Sequence, residues 1–183
     1  MTILRLSLFL VILVQGSAFA DDRIVNANLH SKVLNEDRNV IVHLPRNYQD
    51  TTQRYHVTYV LDGTSQDQHT ADKIDVLSDA GLIPKAIVVG LPNTRGNRER
   101  DQTPPYMRTN VDDENSPYGA ADKFLSFIEK ELIPFIEGNY RTSSHRAICG
   151  NSRGGLLIIL LKQYIRTMLL FLPRKGWSNG AGI

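Results

Sequence analysis

The sequence predicts an α/β fold with a mainly parallel sheet and flanking helices. Short apolar runs typical of strands recur along the chain, and longer stretches with apolar residues at helical spacing separate them. This alternation favours crossover connections, which make neighbouring strands parallel and place helices on the faces of the sheet.

Four runs are predicted to be strands because they are rich in β-branched and aromatic residues or are continuously apolar. Turn-forming residues end three of them, at Pro45, at Asp62-Gly63 and at Gly150. The runs are 39–44, 56–61, 86–90 and 146–149.

Three stretches are predicted to be helices. The stretch 70–80 is followed by Gly81, a natural C-cap. The longest stretch, 118–138, contains Pro134, which is placed to kink or divide it. A third helix is expected over 155–161, where the residues are aliphatic.

The first twenty residues are predicted to be a secretory signal peptide, so that 21–183 is the folded domain. A short positive start precedes an apolar run at 6–14 and an A-x-A cleavage sequence at 18–20. A membrane anchor is the alternative, but the run falls well short of the ~20 apolar residues that a spanning helix needs. We therefore expect a secreted or periplasmic protein with no stable membrane anchor after cleavage.

Composition excludes several classes of protein. The chain has 21 Lys+Arg against 19 Asp+Glu, a net charge of +2, and no long basic block, which argues against a nucleic-acid-binding protein. Its 42% hydrophobic and 22% charged residues suit a globular core. Cys149 is the one cysteine, so no intrachain disulfide forms, and no Cys/His cluster has zinc-site spacing. We expect no metal, no cofactor and no nucleic acid, and the oligomeric state stays open.

Residues 150–154 (GNSRG) match G-x-S-x-G. A predicted strand runs into this motif and a predicted helix runs out of it, which is the context of a nucleophile elbow with Ser152 as nucleophile. Gly150 and Gly154 are expected to avoid collisions with the neighbouring strand or helix. The backbone N–H of Arg153 would supply one oxyanion-hole donor. The alternative is a plain glycine-rich turn with an exposed serine.

With further strings spread along the chain, this motif resembles the esterases of the α/β-hydrolase fold that include enterochelin esterases, esterase D-like proteins and mycolyltransferase antigens. The resemblance covers about residues 26–157 and implies a serine esterase with Ser152 as nucleophile. It also implies a second oxyanion donor after Asp62-Gly63, with the Thr64 N–H as the candidate; a simple turn is the alternative. The matching strings are 30–38, 42–45, 59–63, 88–94, 100–104 and 124–142.

The loop at 92–118 is rich in Pro, Asn, Arg and Asp, and loops of this length are often functional. By the resemblance, 100–104 lies near the mouth of the active site. The alternative is a structural loop held by an Arg–Asp pair.

The sequence departs from the family after the serine. In this fold the triad order is Ser, then Asp or Glu, then His, yet none of the 31 residues after Ser152 is Asp, Glu or His. Of the five histidines, His69 is the remaining candidate for a substitute base, because it follows the Asp62-Gly63 loop. A frameshifted or truncated gene product is the expected explanation, so that the α/β-hydrolase fold is incomplete at its C-terminus.

The expected function is a secreted or periplasmic serine carboxylic-ester hydrolase that acts on a small-molecule ester through an acyl-enzyme on Ser152. The missing triad acid and histidine are expected to impair it. The alternative is an inactive fragment, or a non-catalytic ligand-binding relic, of such an esterase. The ester itself, and the choice between hydrolysis and acyl transfer, stay open.

Overall fold

The protein is described by a computed structural model that covers residues 22–94 and 96–168. The predicted signal peptide at 1–20 lies outside these residues. In the part of the chain that the structure describes, no helix is both long enough and apolar enough to cross a bilayer.

The described residues form five strands: β1 (Ile24–Ser31), β2 (Glu36–His43), β3 (Tyr55–Leu61), β4 (Ala86–Leu91) and β5 (Thr142–Cys149). They make one sheet in the order β1-β2-β4-β3-β5. β3 pairs in parallel with both β4 and β5, whereas β1–β2 and β2–β4 are antiparallel. The α/β class is therefore confirmed, and the parallel arrangement holds for β4, β3 and β5.

The strand β1 is absent from the sequence prediction. Its side chains alternate between exposed and partly buried positions, as expected for a strand at the edge of the sheet. Its sequence, IVNANLHS, mixes polar residues into that alternation, so the apolar signal is weak. Pairing with β2 along its full length, from Ile24 opposite His43 to Ser31 opposite Glu36, is what makes it a strand.

The helices are α1 (Gln66–Asp79), α2 (Asn97–Gln102), α3 (Ala121–Phe127), α4 (Ile133–Asn139) and α5 (Arg153–Met168). All but α2 lie close to the predicted helices; α2 lies in the predicted loop at 92–118. The C-cap of α1 is Ala80, and Gly81 follows it in the left-handed region at φ +73°. A π-helical turn, Ile128–Leu132, joins α3 to α4 just before Pro134, because proline disrupts the regular α-helical hydrogen bonding.

The core lies on both faces of β4, all six of whose residues are buried. One face packs against α1, where Gly90 leaves room for Asp67, since a Cβ at Gly90 would lie 2.6 Å from the Asp67 Cβ. The other face joins a single apolar cluster with side chains of α3, α4 and α5. Continuous burial on both faces explains why this strand reads as an unbroken apolar run.

The topology brings two turns together. β3 and β5 are parallel neighbours with Val60 opposite Cys149, so the turns that follow them leave the same edge of the sheet. In open α/β sheets, sites form outside the carboxyl ends of the strands. The G-x-S-x-G turn and the Asp62-Gly63 turn are therefore placed side by side.

Candidate active site

The G-x-S-x-G segment is a tight turn between β5 and α5. Ser152 is exposed and has φ +53°, in the left-handed region that non-glycine residues rarely adopt. The turn is closed by two hydrogen bonds: the Gly154 N–H donates to the Asn151 carbonyl at 2.9 Å, and the Leu156 N–H donates to the Ser152 carbonyl at 3.2 Å. Backbone strain of this kind clusters at functional sites.

The two glycines of the turn differ in how tightly they are packed. A Cβ at Gly150 would lie 2.9 Å from Cδ1 of Leu61 and 3.2 Å from the carbonyl carbon of Gly154, which is too close without a shift. A Cβ at Gly154 would have its nearest neighbour, Leu61 Cδ1, at 3.4 Å, an ordinary van der Waals contact. The expected collision is found at Gly150, and the expectation for Gly154 is wrong because the start of α5 leaves room for a methyl group.

The turn after β3 also has a strained backbone, with Asp62 at φ +58°. The Gly63 N–H donates to the Leu91 carbonyl at 2.9 Å, and a Cβ at Gly63 would lie 2.5 Å from the Leu91 nitrogen. Glycine is therefore required where this turn crosses the end of β4. Because the Gly63 N–H is already committed, the next backbone donor along this turn is that of the exposed Thr64.

The Asp62 carboxylate is held by three side chains. Oδ1 accepts hydrogen bonds from Asn93 Nδ2 at 2.6 Å, Arg98 Nε at 2.8 Å and Gln102 Nε2 at 3.0 Å. Oδ2 accepts one from Nη2 of Arg98 at 2.9 Å. Burial raises the pKa of Asp62, but the hydrogen bonds from Arg98, Asn93 and Gln102 outweigh that effect and hold it at about 2.

The Arg153 side chain contacts the loop at 92–118. Its Nη1 donates to Thr103 Oγ1 at 2.7 Å and to the Thr109 carbonyl at 3.1 Å. The guanidinium thus ties the first residue of α5 to that loop, which leaves its backbone N–H as the group relevant to an oxyanion.

The neighbouring residues 100–104 are fixed by ion pairs. Arg100 Nη2 lies 2.7 Å from Glu36 Oε1, and its hydrogen bonds help to lower the pKa of Glu36. The buried Asp101 pairs with Arg38. This supports a structural loop held by an Arg–Asp pair, and the contact between Thr103 and Arg153 places the same loop beside the elbow.

Two histidines lie at or beside α1. His43 is buried on β2, with Nε2 2.9 Å from Oδ2 of Asp67, so it is engaged by a buried carboxylate. His69 is exposed in the first turn of α1. That helix begins at Gln66, whose Oε1 accepts a hydrogen bond from Asn151 at 3.4 Å, so the start of α1 adjoins the elbow.

The other three histidines lie in strands, at positions away from the elbow. Two of them, His56 and His145, lie in the first halves of β3 and β5, and the third, His30, lies on β1. His56 is the second residue of β3 and bonds Ser143 at 2.9 Å; its ring centre lies 5.0 Å from that of His145, in the first half of β5. His30 lies on β1, at the opposite edge of the sheet from β5, and its Nδ1 is 2.7 Å from Asp37. These placements agree with structural roles.

Cys149, three residues before Ser152, is partly buried, and this burial raises the pKa of its thiol. The thiolate, which is the nucleophilic form, is therefore disfavoured. Within the described residues, no group of three or more His, Cys, Asp or Glu side chains could hold a metal ion.

Comparisons with known proteins show similarity to esterases. The family model "Putative esterase" matches residues 31–168. An IroE-like serine hydrolase from Shewanella oneidensis has 37% sequence identity and a TM-score of 0.71, over 78% of this chain and 47% of that one. The ferri-bacillibactin esterase BesA of Bacillus subtilis is 30% identical over 57% of this chain and 41% of its own length.

The siderophore hydrolase EstB from Aspergillus nidulans shares the fold, with a TM-score of 0.64 at 21% identity over 77% of this chain and 53% of its own. The chain spans about half the length of the relatives that it matches. The sheet with its flanking helices corresponds to part of an α/β-hydrolase fold. Because the family model matches well over half of its residues, the chain belongs to this esterase family.

Proposed function

We propose that the chain is a serine carboxylic-ester hydrolase with Ser152 as its nucleophile. The observation that carries the proposal is the strained, exposed Ser152 in a strand–turn–helix, beside a second strained turn, in a chain of the esterase family. The backbone N–H groups of Arg153 and Thr64 are the two candidate oxyanion donors. Gly150 supports the turn by allowing the close approach of Leu61.

The chemistry follows from these positions. Oγ of Ser152 attacks the ester carbonyl carbon and loses its proton to a base, and the carbonyl oxygen becomes an oxyanion. Donors fixed before the reaction stabilise that charge, and each donor is typically worth 10²–10³ in rate, or roughly 3–4 kcal/mol. Collapse of the intermediate expels the alcohol, which takes up a proton. Water then attacks the acyl-enzyme and releases the carboxylic acid.

The attack also needs a base to accept the proton of Ser152. None of the residues given after Ser152 is Asp, Glu or His. Among the histidines before it, His69 has the placement that best supports this role, because it is exposed in the first turn of the helix that adjoins the elbow.

The substrate proposed is a small-molecule ester. BesA is named for a ferri-bacillibactin ester and EstB for siderophores, so siderophore esters are the first class to test. We also propose that residues 1–20 are a signal peptide and that the mature protein is secreted or periplasmic. Sequencing the N-terminus of the protein from the cell envelope or medium checks this, since a start at Asp21 is expected.

Reaction with a fluorophosphonate probe tests the function. We expect one adduct per chain, carried by the peptide that contains Ser152 and abolished in Ser152→Ala. The matched control is Ser143→Ala, which removes a hydroxyl from the opposite end of the same strand and should label like the wild type. No adduct at any pH between 6 and 9, with the folded chain present, would remove the proposal.

The second candidate is ligand binding without turnover, which applies if no residue serves as the base for Ser152. Thermal unfolding with a siderophore ester separates the two. A rise in Tm without product, and with no probe adduct, supports the binding function. Product formation that disappears in Ser152→Ala supports the hydrolase.

A further inference from the structure

Three side chains of one short segment contact both turns of the candidate site. Arg98 and Gln102 belong to α2, and Thr103 follows it directly. The first two hold the carboxylate of Asp62 after β3, and Thr103 accepts a hydrogen bond from Arg153 after β5. We name Arg98, Gln102 and Thr103 the α2 brace.

We infer that the α2 brace fixes the two candidate oxyanion donors relative to each other, with Asp62 as the positioning residue for the turn after β3. The inference rests on the proposed function, because the spacing of these donors matters only if Ser152 reacts. Arg98, Gln102 and Thr103 then act through the two turns that they contact.

The side-chain hydrogen bonds to Asp62 hold a strained backbone in place. A non-glycine residue in the left-handed region costs about 1 kcal/mol or more and persists where its surroundings hold it. Here the forked guanidinium of Arg98 contacts both carboxylate oxygens, and Gln102 adds a third donor from the same helix. A bidentate contact fixes direction as well as distance.

Gln102 is buried beside both turns, at 1% exposed. Its Nε2 donates to Asp62 Oδ1 at 3.0 Å and to Asn93 Oδ1 at 3.4 Å, whereas its Oε1 is buried without a hydrogen-bond partner among the described residues. Thr103, at 2% exposed, accepts the hydrogen bond from Arg153. Breaking a buried hydrogen bond leaves a polar group unsatisfied at a cost of about 1–3 kcal/mol, so the bonds made by Gln102 Nε2 and Thr103 Oγ1 hold the brace against each turn.

The two donors belong to different turns, so their separation depends on an element that contacts both. An oxyanion hole works when its donors lie about 2.7–3.1 Å from the position of the oxyanion. A displacement of about 1 Å can reduce a rate by up to ~10²-fold. Loosening Asp62 should therefore slow the reaction of Ser152 even though the serine is untouched.

Inactivation kinetics of the full chain with a fluorophosphonate test this inference. Asp62→Gly accepts the left-handed backbone without the carboxylate, and Arg98→Lys keeps the charge but loses the fork. In both we expect the maximal inactivation rate to fall about tenfold or more, with the probe's half-saturating concentration within about twofold. The matched control is Arg46→Gln, which breaks the surface contact between Arg46 and Asp79, 2.6 Å in length, and should match the wild type.

The final extent of labelling separates positioning from folding. A merely structural role lowers the fraction of chains that react and leaves the rate of the reacting fraction unchanged, which would overturn the inference. Full labelling at the wild-type rate in Asp62→Gly would also overturn it. Should Asp62→Gly fail to fold, Arg98→Lys decides, because that side chain is 30% exposed and is tolerant of exchange.

If the wild-type chain does not react with the probe, the proposed function has failed. Amide hydrogen exchange then tests the remaining structural claim, which is that the α2 brace fixes the turn at 62–64. In Arg98→Lys we expect the amides of 62–64 to exchange about tenfold faster than in the wild type, and those of β1 to be unchanged. Equal exchange at 62–64 would show that the brace does not fix this turn.

Discussion

The turns after β3 and β5 have the same backbone feature and are stabilised in different ways. Asp62 and Ser152 have φ values of +58° and +53°, and both follow parallel strands that are neighbours in the sheet. Asp62 is held through its side chain by three residues, and its strand is paired on both sides. Ser152 is exposed, and its turn depends on backbone hydrogen bonds and a glycine.

The difference shows that the two turns use their side chains differently. The carboxylate of Asp62 holds the backbone of its own turn. At Ser152 the backbone is held through the start of α5, which leaves the side chain exposed. Under the inference above, the turn after β3 is the rigid reference for the candidate nucleophile.

The largest expected effect is on the β3 side. Gly63→Ala should lower the free energy of unfolding by about 3 kcal/mol, because its Cβ would lie 2.5 Å from a backbone atom of β4 and cannot be accommodated by a side-chain movement. Urea unfolding followed by circular dichroism measures this. Gly138→Ala is the control. A Cβ added at this position in α4 would meet no atom outside its own helix within 4 Å, so alanine should raise the free energy of unfolding by up to about 1 kcal/mol. Equal stabilities for the two variants would contradict the comparison.

The elbow should respond less, and unequally at its two glycines. Gly150→Ala should cost about 1–2 kcal/mol, because Leu61 must move to admit the methyl group. Gly154→Ala should change stability by no more than about 0.5 kcal/mol and should keep the wild-type rate of probe labelling. The same unfolding measurement checks both variants. A larger loss at Gly154 than at Gly150 would mean that the start of α5 is packed more tightly than the structure shows.

The third expected effect concerns the charge of Asp62. The folded pKa of Asp62, about 2, lies below its ordinary value of 3.8, so its stabilisation is fully present above pH ~4–5 and is lost as the pH falls through 3.8 toward 2. Because the group is partly exposed, we expect Asp62→Asn to cost about 1 kcal/mol at pH 7. Asparagine tolerates the left-handed backbone, so the charge is what changes. When both proteins are unfolded at pH values between 7 and 2, the difference between their free energies of unfolding should shrink as the pH falls. A difference that stays constant would mean that the loss comes from the changed shape of the side chain and not from its charge.

The parts of the site that sequence predicts are local. A strand, a G-x-S-x-G turn and a helix follow one another between Thr142 and Met168, and each has its own pattern of apolar residues and glycines. The Asp62-Gly63 turn is predicted in the same way, from a strand that ends at a turn-forming pair. Gly154 shows the limit, because a glycine in the motif does not reveal how much room surrounds it.

The sequence by itself determined the α/β class, the strand β4 with its unbroken apolar run, and the position of the candidate nucleophile, because periodicity and turn residues act over a few neighbours. Tertiary structure decided the antiparallel half of the sheet, the strand β1 and the α2 brace. The contacts of that brace join residues 36 and 50 positions apart, from Arg98 to Asp62 and from Arg153 to Thr103. No local pattern encodes such pairs: they form only when the packed sheet brings both turns to one edge.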